Sequence, residues 1–139
     1  MNGIQFFRHI PTEYQLNPST VVFSQQPTSE SICLNTGIAT FVGIASLSPP
    51  ENQTGSFSYQ WHREVLDAYI PVSDGAYAGG TIAGAATTAL TISNLTNDDD
   101  YGVKFKLLAT FTPTGDTATP YDNPKFSDAA SLGLFPNIS

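Results

Sequence analysis

The sequence predicts an all-β fold, a sandwich of about seven to nine short strands. Residues 101 to 111 alternate between apolar side chains and mostly polar ones, which indicates a long strand with one face in water. Residues 56 to 63 alternate in the same way. Turn-forming residues separate the short apolar runs, and no stretch has a strong helical period. Two packed sheets are a usual way to bury such strands.

The other strands are expected where short apolar runs stand between turn signals. Besides 56–63 and 101–111, the expected strands cover residues 20–24, 31–34, 38–47, 90–95 and 125–134, and residues 64–72 are expected to form a turn and a short strand. Loops are expected at 48–55 and 112–124, because Pro, Gly, Asn and Asp favour turns over ladders. Residues 73–89 are rich in Gly, Ala and Thr, and we expect them to cross between the sheets with little bulk.

Composition argues against several classes of function. The net charge is −7 and the five basic residues are scattered, so a basic nucleic-acid groove is not expected. No apolar run approaches the roughly 18 residues of a membrane span, and no signal peptide is recognisable. Only 12% of the residues are charged, roughly half the usual share of about 25%. Such a surface suits a domain packed among neighbours.

The chain contains a single cysteine, Cys33, so a disulfide within the chain is impossible. We expect Cys33 to be buried as a small apolar residue, the usual environment of a free cysteine. The core must then hold by apolar burial, at about 1.5–3 kcal/mol for each fully buried Leu, Ile or Phe.

Residues 1–19 are expected to form an extended arm that precedes a sandwich domain at residues 20–139. The arm is rich in apolar side chains, and its candidate partner-docking residues are Ile4, Phe6, Phe7, Ile10 and Tyr14. Exposed aromatic residues of this kind are a liability for an isolated monomer. Two interpretations stay open: the arm folds back on its own sandwich, or it buries its aromatic side chains in a partner.

Residues 90 to 107 resemble the E strand, EF corner and F strand of an immunoglobulin-like domain. The family pattern has an L-x-I-x-x-L strand, an acidic corner, a D-x-G turn and an aromatic residue two places before a cysteine. The residues that match it are Leu90, Ile92, Leu95, Asp100, Gly102 and Phe105. Leu107 stands at the cysteine position, and Phe105 stands where a tyrosine is usual. The resemblance therefore implies an immunoglobulin-like sandwich without a disulfide.

Other segments extend the resemblance over roughly residues 20 to 134. The Y-Q-W pattern that ends at Trp61 resembles the C strand, whose tryptophan packs in the core. The resemblance implies that the structural core contains Phe41, Trp61, Leu90, Ile92, Phe105 and Leu107. Residues 84–93 are similar to a stretch in immunoglobulin-like domains of bacteriophage structural proteins.

No catalytic constellation stands in the sequence, and we expect neither an enzyme nor a cofactor. The acidic run at Asp98–Asp100 is a conceivable Ca²⁺ site, but EF-hand spacing is missing and we expect these residues to cap a turn. His62 is expected on the solvent face, and a lone histidine there is weak support for a metal site or a base. No metal is therefore expected.

Two function hypotheses remain. The resemblance implies a structural virion protein that docks by its arm onto other capsid or tail proteins as a decoration or accessory subunit. Such a protein is expected to be part of an oligomeric assembly and to be made in the host cytoplasm. The alternative is an immunoglobulin-like module that binds a carbohydrate or a host surface. Tyr69, Tyr77 and Tyr121 are aromatic residues that could stack on sugar rings, and Asp116 could join such a ligand loop.

Overall fold

Twelve strands and no α-helix make up the regular structure of the described part of the chain. The computed structural model describes residues 19–50, 53–97, 102–115 and 118–135. In chain order the strands are β1 (Thr20–Gln25), β2 (Glu30–Cys33), β3 (Ile38–Val42), β4 (Ile44–Ser48), β5 (Gly55–Val65), β6 (Ala68–Pro71), β7 (Gly75–Tyr77), β8 (Gly80–Ala83), β9 (Ala89–Ser93), β10 (Lys104–Pro113), β11 (Lys125–Phe126) and β12 (Ala130–Phe135).

The strands form two layers. Sheet 1 has the order β2-β12-β10-β5-β6, with β11 also paired to β10. Sheet 2 has the order β3-β9-β8-β7. The β1-β4 pair is a separate two-stranded sheet in the same layer, and its buried residues pack with Ala109 and Phe111 of β10. The strand ladders are antiparallel except that of β2 with β12, which is parallel. The expected all-β sandwich is confirmed.

The core lies between the sheets and includes all six residues that the sequence assigned to it. Phe41, Trp61, Leu90, Ile92, Phe105 and Leu107 are fully buried. The ring of Phe41 lies 5.3 Å from that of Phe105 and 6.4 Å from that of Trp61, centroid to centroid. The indole N–H of Trp61 donates to the carbonyl of Thr87 at 2.8 Å, so its one polar atom is satisfied.

The single strand expected over residues 38–47 is two strands that change partners at Gly43. Before Gly43, β3 pairs with β9; after it, β4 pairs with β1. A Cβ at Gly43 would lie 2.9 Å from Cδ2 of Leu107, so glycine lets the backbone approach this core side chain. The expectation of one continuous strand was wrong, because period-two alternation does not reveal a change of partner.

The stretch 73–89 contains the β7–β8 hairpin and is more than a simple crossing. Ile82 is buried in the core, while the residues on either side of it are exposed. A Cβ at Gly80 would collide with the carbonyl oxygen of Ser93 on the neighbouring strand, so glycine is required for this pairing. Similarly, the expected last strand is divided into β11 and β12.

The expected burial of Cys33 was wrong, and the expectation for His62 was right about the face but not about its exposure. Cys33 is exposed: it alternates with buried Ile32 on β2, which is an edge strand of sheet 1. His62 is buried although it faces outwards, because Phe126 packs edge-on against its ring with centroids 5.0 Å apart. The alternation of β2 itself exposes Cys33, whereas the burial of His62 depends on a residue of another strand.

We predict that Trp61→Ala lowers the free energy of unfolding by about 3–5 kcal/mol, the range for large core truncations. The reason is the loss of a fully buried ring from the centre of the core. Chemical denaturation checks this value. Phe135→Ala is the matched control, because its ring is 52% exposed; it is expected to cost far less. A Trp61→Ala loss no larger than that of the control would contradict the prediction.

We predict that Cys33 reacts with a thiol reagent in the native protein, at a rate comparable with that in denaturant. Its side chain is exposed, so no unfolding is needed for access. Absorbance of the released thiolate leaving group measures both rates. Protection of the thiol until the protein unfolds would show that Cys33 is covered after all.

Candidate functional site

The described residues contain no arrangement that points to catalysis. Within residues 19–50, 53–97, 102–115 and 118–135, no three His, Cys, Asp or Glu side chains come together as metal ligands. Over the same ranges, no helix is long and apolar enough to cross a membrane. The candidate sites among these residues are two surfaces and a crevice.

The residues expected to bind a partner or a ligand are only partly described. The arm residues Ile4, Phe6, Phe7, Ile10 and Tyr14 lie outside the described residues, and so do Asp98–Asp100 and Asp116. Tyr77 and Tyr121 lie towards opposite ends of the sandwich. Tyr121 pairs with the start of β1, whereas Tyr77 lies beside Arg63 near the far end of β5. The structure does not bring these two tyrosines into one ligand loop.

The point where the arm joins the sandwich is fixed by hydrogen bonds. The backbone N–H of Tyr121 donates to the carbonyl of Ser19 at 2.9 Å, and that of Val21 donates to the carbonyl of Tyr121 at 3.2 Å. Ser19 is fully buried, and its hydroxyl donates to the carbonyl of Pro49. We call Ser19, Pro49 and Tyr121 the arm root, and the exposed side chains of Pro49 and Tyr121 the arm-root surface. Residues 1–18 therefore lead into the domain at one defined end.

The described residues of the loop that carries Tyr121 are hydrogen-bonded to strand β10 and to the start of β5. The side-chain amide of Asn123 donates to the carbonyl of Phe111 and accepts from its N–H, both at 2.8 Å, as a neighbouring strand would. The N–H of Thr114 donates to the carbonyl of Thr54 at 2.9 Å, which ties this loop to the start of β5. The side chain of Tyr121 is nevertheless 62% exposed. The arm root thus lies beside an aromatic ring on a fixed backbone.

A second candidate surface is the outer face of sheet 1, where an aromatic–lysine cluster forms from Tyr69, Lys106 and Phe126. The ammonium nitrogen of Lys106 lies 4.5 Å from the ring centroid of Tyr69 and 5.8 Å from that of Phe126. Burial and, after it, the charge of Glu64 raise the pKa of the Tyr69 hydroxyl. Lys106 covers the ring of Tyr69, so this ring is poorly placed to stack on a sugar.

A third candidate is a crevice between the open edges of the two sheets. It encloses about 220 Å³ and is lined by residues of β5, β6, the β6–β7 connection, β7 and β8, among them Arg63, Val72, Tyr77 and Ile82. The sequence contains one signal for this crevice. Arg63 continues the inward series of Phe57, Tyr59 and Trp61, so a cation stands at an inward position.

Comparison with known proteins identifies the fold and no family. No family model matches the chain, and no curated protein sequence matches it. Among solved structures, the three N-terminal domains of the Highly Immunogenic Outer Capsid protein of bacteriophage RB49 match with a TM-score of 0.52 and 16% identity, over 84% of this chain and 40% of that chain.

Two further structures are similar at lower scores. The titin M3 domain matches with a TM-score of 0.47 and 17% identity, over 84% of this chain and 97% of that one. The immunoglobulin domains 1–5 of Sidekick-1 match with a TM-score of 0.49 and 16% identity, over 86% of this chain and 20% of that one. The chain thus spans less than half of the Sidekick-1 and RB49 chains. Together with the strand order, the RB49 match shows that the fold is an immunoglobulin-like β-sandwich.

Proposed function

We propose that this chain is a structural virion protein, an immunoglobulin-like subunit that docks by its N-terminal arm, residues 1–19, onto a phage capsid or tail. The observation that carries the proposal is the fixed arm root. Ser19 is fully buried and bonded to Tyr121 and Pro49, so the arm joins the domain at one fixed point beside an exposed tyrosine. A free linker would leave the domain unoriented.

The arm's composition supplies a binding energy of the right order. Five large apolar side chains, each worth about 1.5–3 kcal/mol when buried, give about 7–15 kcal/mol in total. Association costs about 4–15 kcal/mol, so the arm alone would give at most moderate affinity. Contacts from the arm-root surface, or a lattice of many identical sites, would strengthen it. This balance suits an accessory subunit added to a preformed particle.

The fold supports the same proposal by analogy. The RB49 protein with the matching domains is, by its name, an outer capsid protein. The similarity is in fold alone, and folds of this kind serve many functions. The low share of charged residues is a second, independent support, because such a surface suits packing among neighbours.

The alternative, a module that binds a carbohydrate or a host surface, is favoured by Tyr121 alone. Of the three tyrosines considered for sugar stacking, Tyr69 is covered by Lys106 and Tyr77 is half-buried under Arg63. Tyr121 is 62% exposed on a fixed loop, a preorganised platform for a sugar ring.

We predict that the full chain binds purified capsids or tails of its source phage, and that a chain beginning at Pro18 does not. Both chains should unfold at the same denaturant midpoint if the sandwich does not depend on the arm. The double variant Phe6→Ser, Phe7→Ser should lose most of the binding, because it removes two apolar anchors. Leu66→Ser is the matched control, since Leu66 is 95% exposed in the β5–β6 turn, at the end of sheet 1 opposite the arm root. Co-sedimentation and solution mass measure the outcome.

Equal binding by the full and shortened chains would contradict docking by the arm. Failure of the full chain to bind any particle component would contradict the virion proposal itself. Retention of the shortened chain on a glycan array, lost in Tyr121→Ala, would instead support the alternative.

A further inference from the structure

The crevice between the sheet edges holds a cation that has no counter-ion in the described part of the chain. We propose that this crevice is a carboxylate-binding site, and that it takes a glutamate side chain from an extended segment of a partner protein. The crevice is separate from the arm root, because it lies towards the other end of the sandwich.

Arg63 is directed into the sandwich. It is paired in register with Phe105, and residues directly opposite each other in an antiparallel ladder point to the same face. Since Phe105 is fully buried, the stem of Arg63 also points inwards. The guanidinium carbon lies 5.4 Å from the ring centroid of Tyr77, a cation–π contact that fixes its position. The side chain is half-buried, so its charge is partly removed from water.

The nearby carboxylates among the described residues are committed elsewhere. Glu64 lies opposite Tyr69 on the outer face, as its effect on the pKa of Tyr69 shows. The carboxylate of Asp74 accepts the backbone N–H of Ala85 at 2.8 Å. Among the described residues, the Arg63 charge contacts the Tyr77 ring and no carboxylate. In a chain with twelve acidic and five basic residues, a half-buried arginine that meets no acid within the described ranges is suited to bind a carboxylate from another molecule.

The crevice has two apolar residues beneath it and is otherwise lined largely by polar atoms. Val72 and Ile82 are buried beneath it, and its volume of about 220 Å³ exceeds the roughly 150 Å³ that accommodates a benzene molecule in an engineered cavity. The methylene groups of a glutamate would contact these apolar side chains while its carboxylate met Arg63. A sugar ring fits less well, because the ring of Tyr77 is half-buried and offers little surface for stacking. One face of the Tyr77 ring is also occupied by Arg63.

The surroundings suit an extended protein segment as the carrier. Strand β6 ends sheet 1 and strand β7 ends sheet 2, so each presents beside the crevice an edge that no described strand pairs with. An open edge can pair with an added strand through main-chain hydrogen bonds. Because side chains alternate along a strand, one glutamate would enter the crevice while its neighbours pointed away.

The test uses two peptides, acetyl-Thr-Val-Glu-Val-Thr-amide and its Gln counterpart, titrated into the ¹⁵N-labelled full chain. We expect the Glu peptide to shift the Arg63 Nε–H and the amides of Ser73, Ala76 and Tyr77 saturably. The Gln peptide should bind at least about tenfold more weakly, as should the Arg63→Gln variant, because each removes a charge-assisted hydrogen bond. Lys104→Gln is the matched control: it makes the same charge change from an exposed position of neighbouring strand β10 and should bind normally.

Any of three results would overturn the proposal: no saturable shifts with the Glu peptide, equal affinity of Arg63→Gln and Lys104→Gln, or binding of glucuronate with none of the peptide. Should Arg63→Gln fail to fold, Arg63→Lys replaces it. Lysine keeps the charge and lacks the planar fork, so it should bind the Glu peptide more weakly than the native chain and still prefer it over the Gln peptide. Loss of that preference, or an affinity equal to the native one, would count against the site.

Discussion

Phe41 of sheet 2 and Phe105 of sheet 1 meet with ring centroids 5.3 Å apart, and the remaining structure depends on this contact. Trp61 joins the same cluster, and Leu107 lies beside it at the position where related folds carry a cysteine. The sheets are therefore held together by dispersion and apolar burial, with no covalent link between them. Such a core is closely packed. At Gly43 the backbone itself lies against Leu107 and leaves no room for a side chain.

A core of this kind separates two surfaces with different chemistry. The β5–β10 ladder runs from the Arg63–Phe105 pair to the Gly55–Pro113 pair. Eight residue steps of about 3.3 Å place these ends roughly 26 Å apart. At one end, backbone hydrogen bonds fix the arm root beside an exposed tyrosine. Near the other end, Arg63 offers a positive charge in a chain that is otherwise strongly acidic. The two surfaces can therefore act without obstructing each other.

The inward residues could be predicted from the sequence because their own strands encode them. Phe105 and Leu107 alternate with lysines, and Trp61 alternates with Gln60 and His62. Period two assigns a face to each residue, and the long strands leave little doubt about which face is apolar. The assignment of residues to faces succeeded wherever one strand carried enough of the pattern.

The errors concern what one strand does to another. Alternation placed His62 outwards correctly, but its burial depends on Phe126, which is 64 positions away in the sequence and was not known to be adjacent. The error for Cys33 was of another kind: the alternation of β2 turns its side chain outwards, against the usual burial of a free cysteine. The crevice at Arg63 requires the pairing of β5 with β10 and the position of the β7–β8 hairpin together. Sites built between strands are invisible until the register is known.

The direction of β12, antiparallel to β10, has a consequence for any polypeptide attached to this domain. Strand β12 runs away from the arm root and ends at Phe135, whose carbonyl accepts the N–H of Leu34. A chain entering through Ser19 and one leaving after Phe135 are thus separated by the length of the sandwich. A fusion partner attached after Phe135 would therefore begin about one sandwich length away from the arm root.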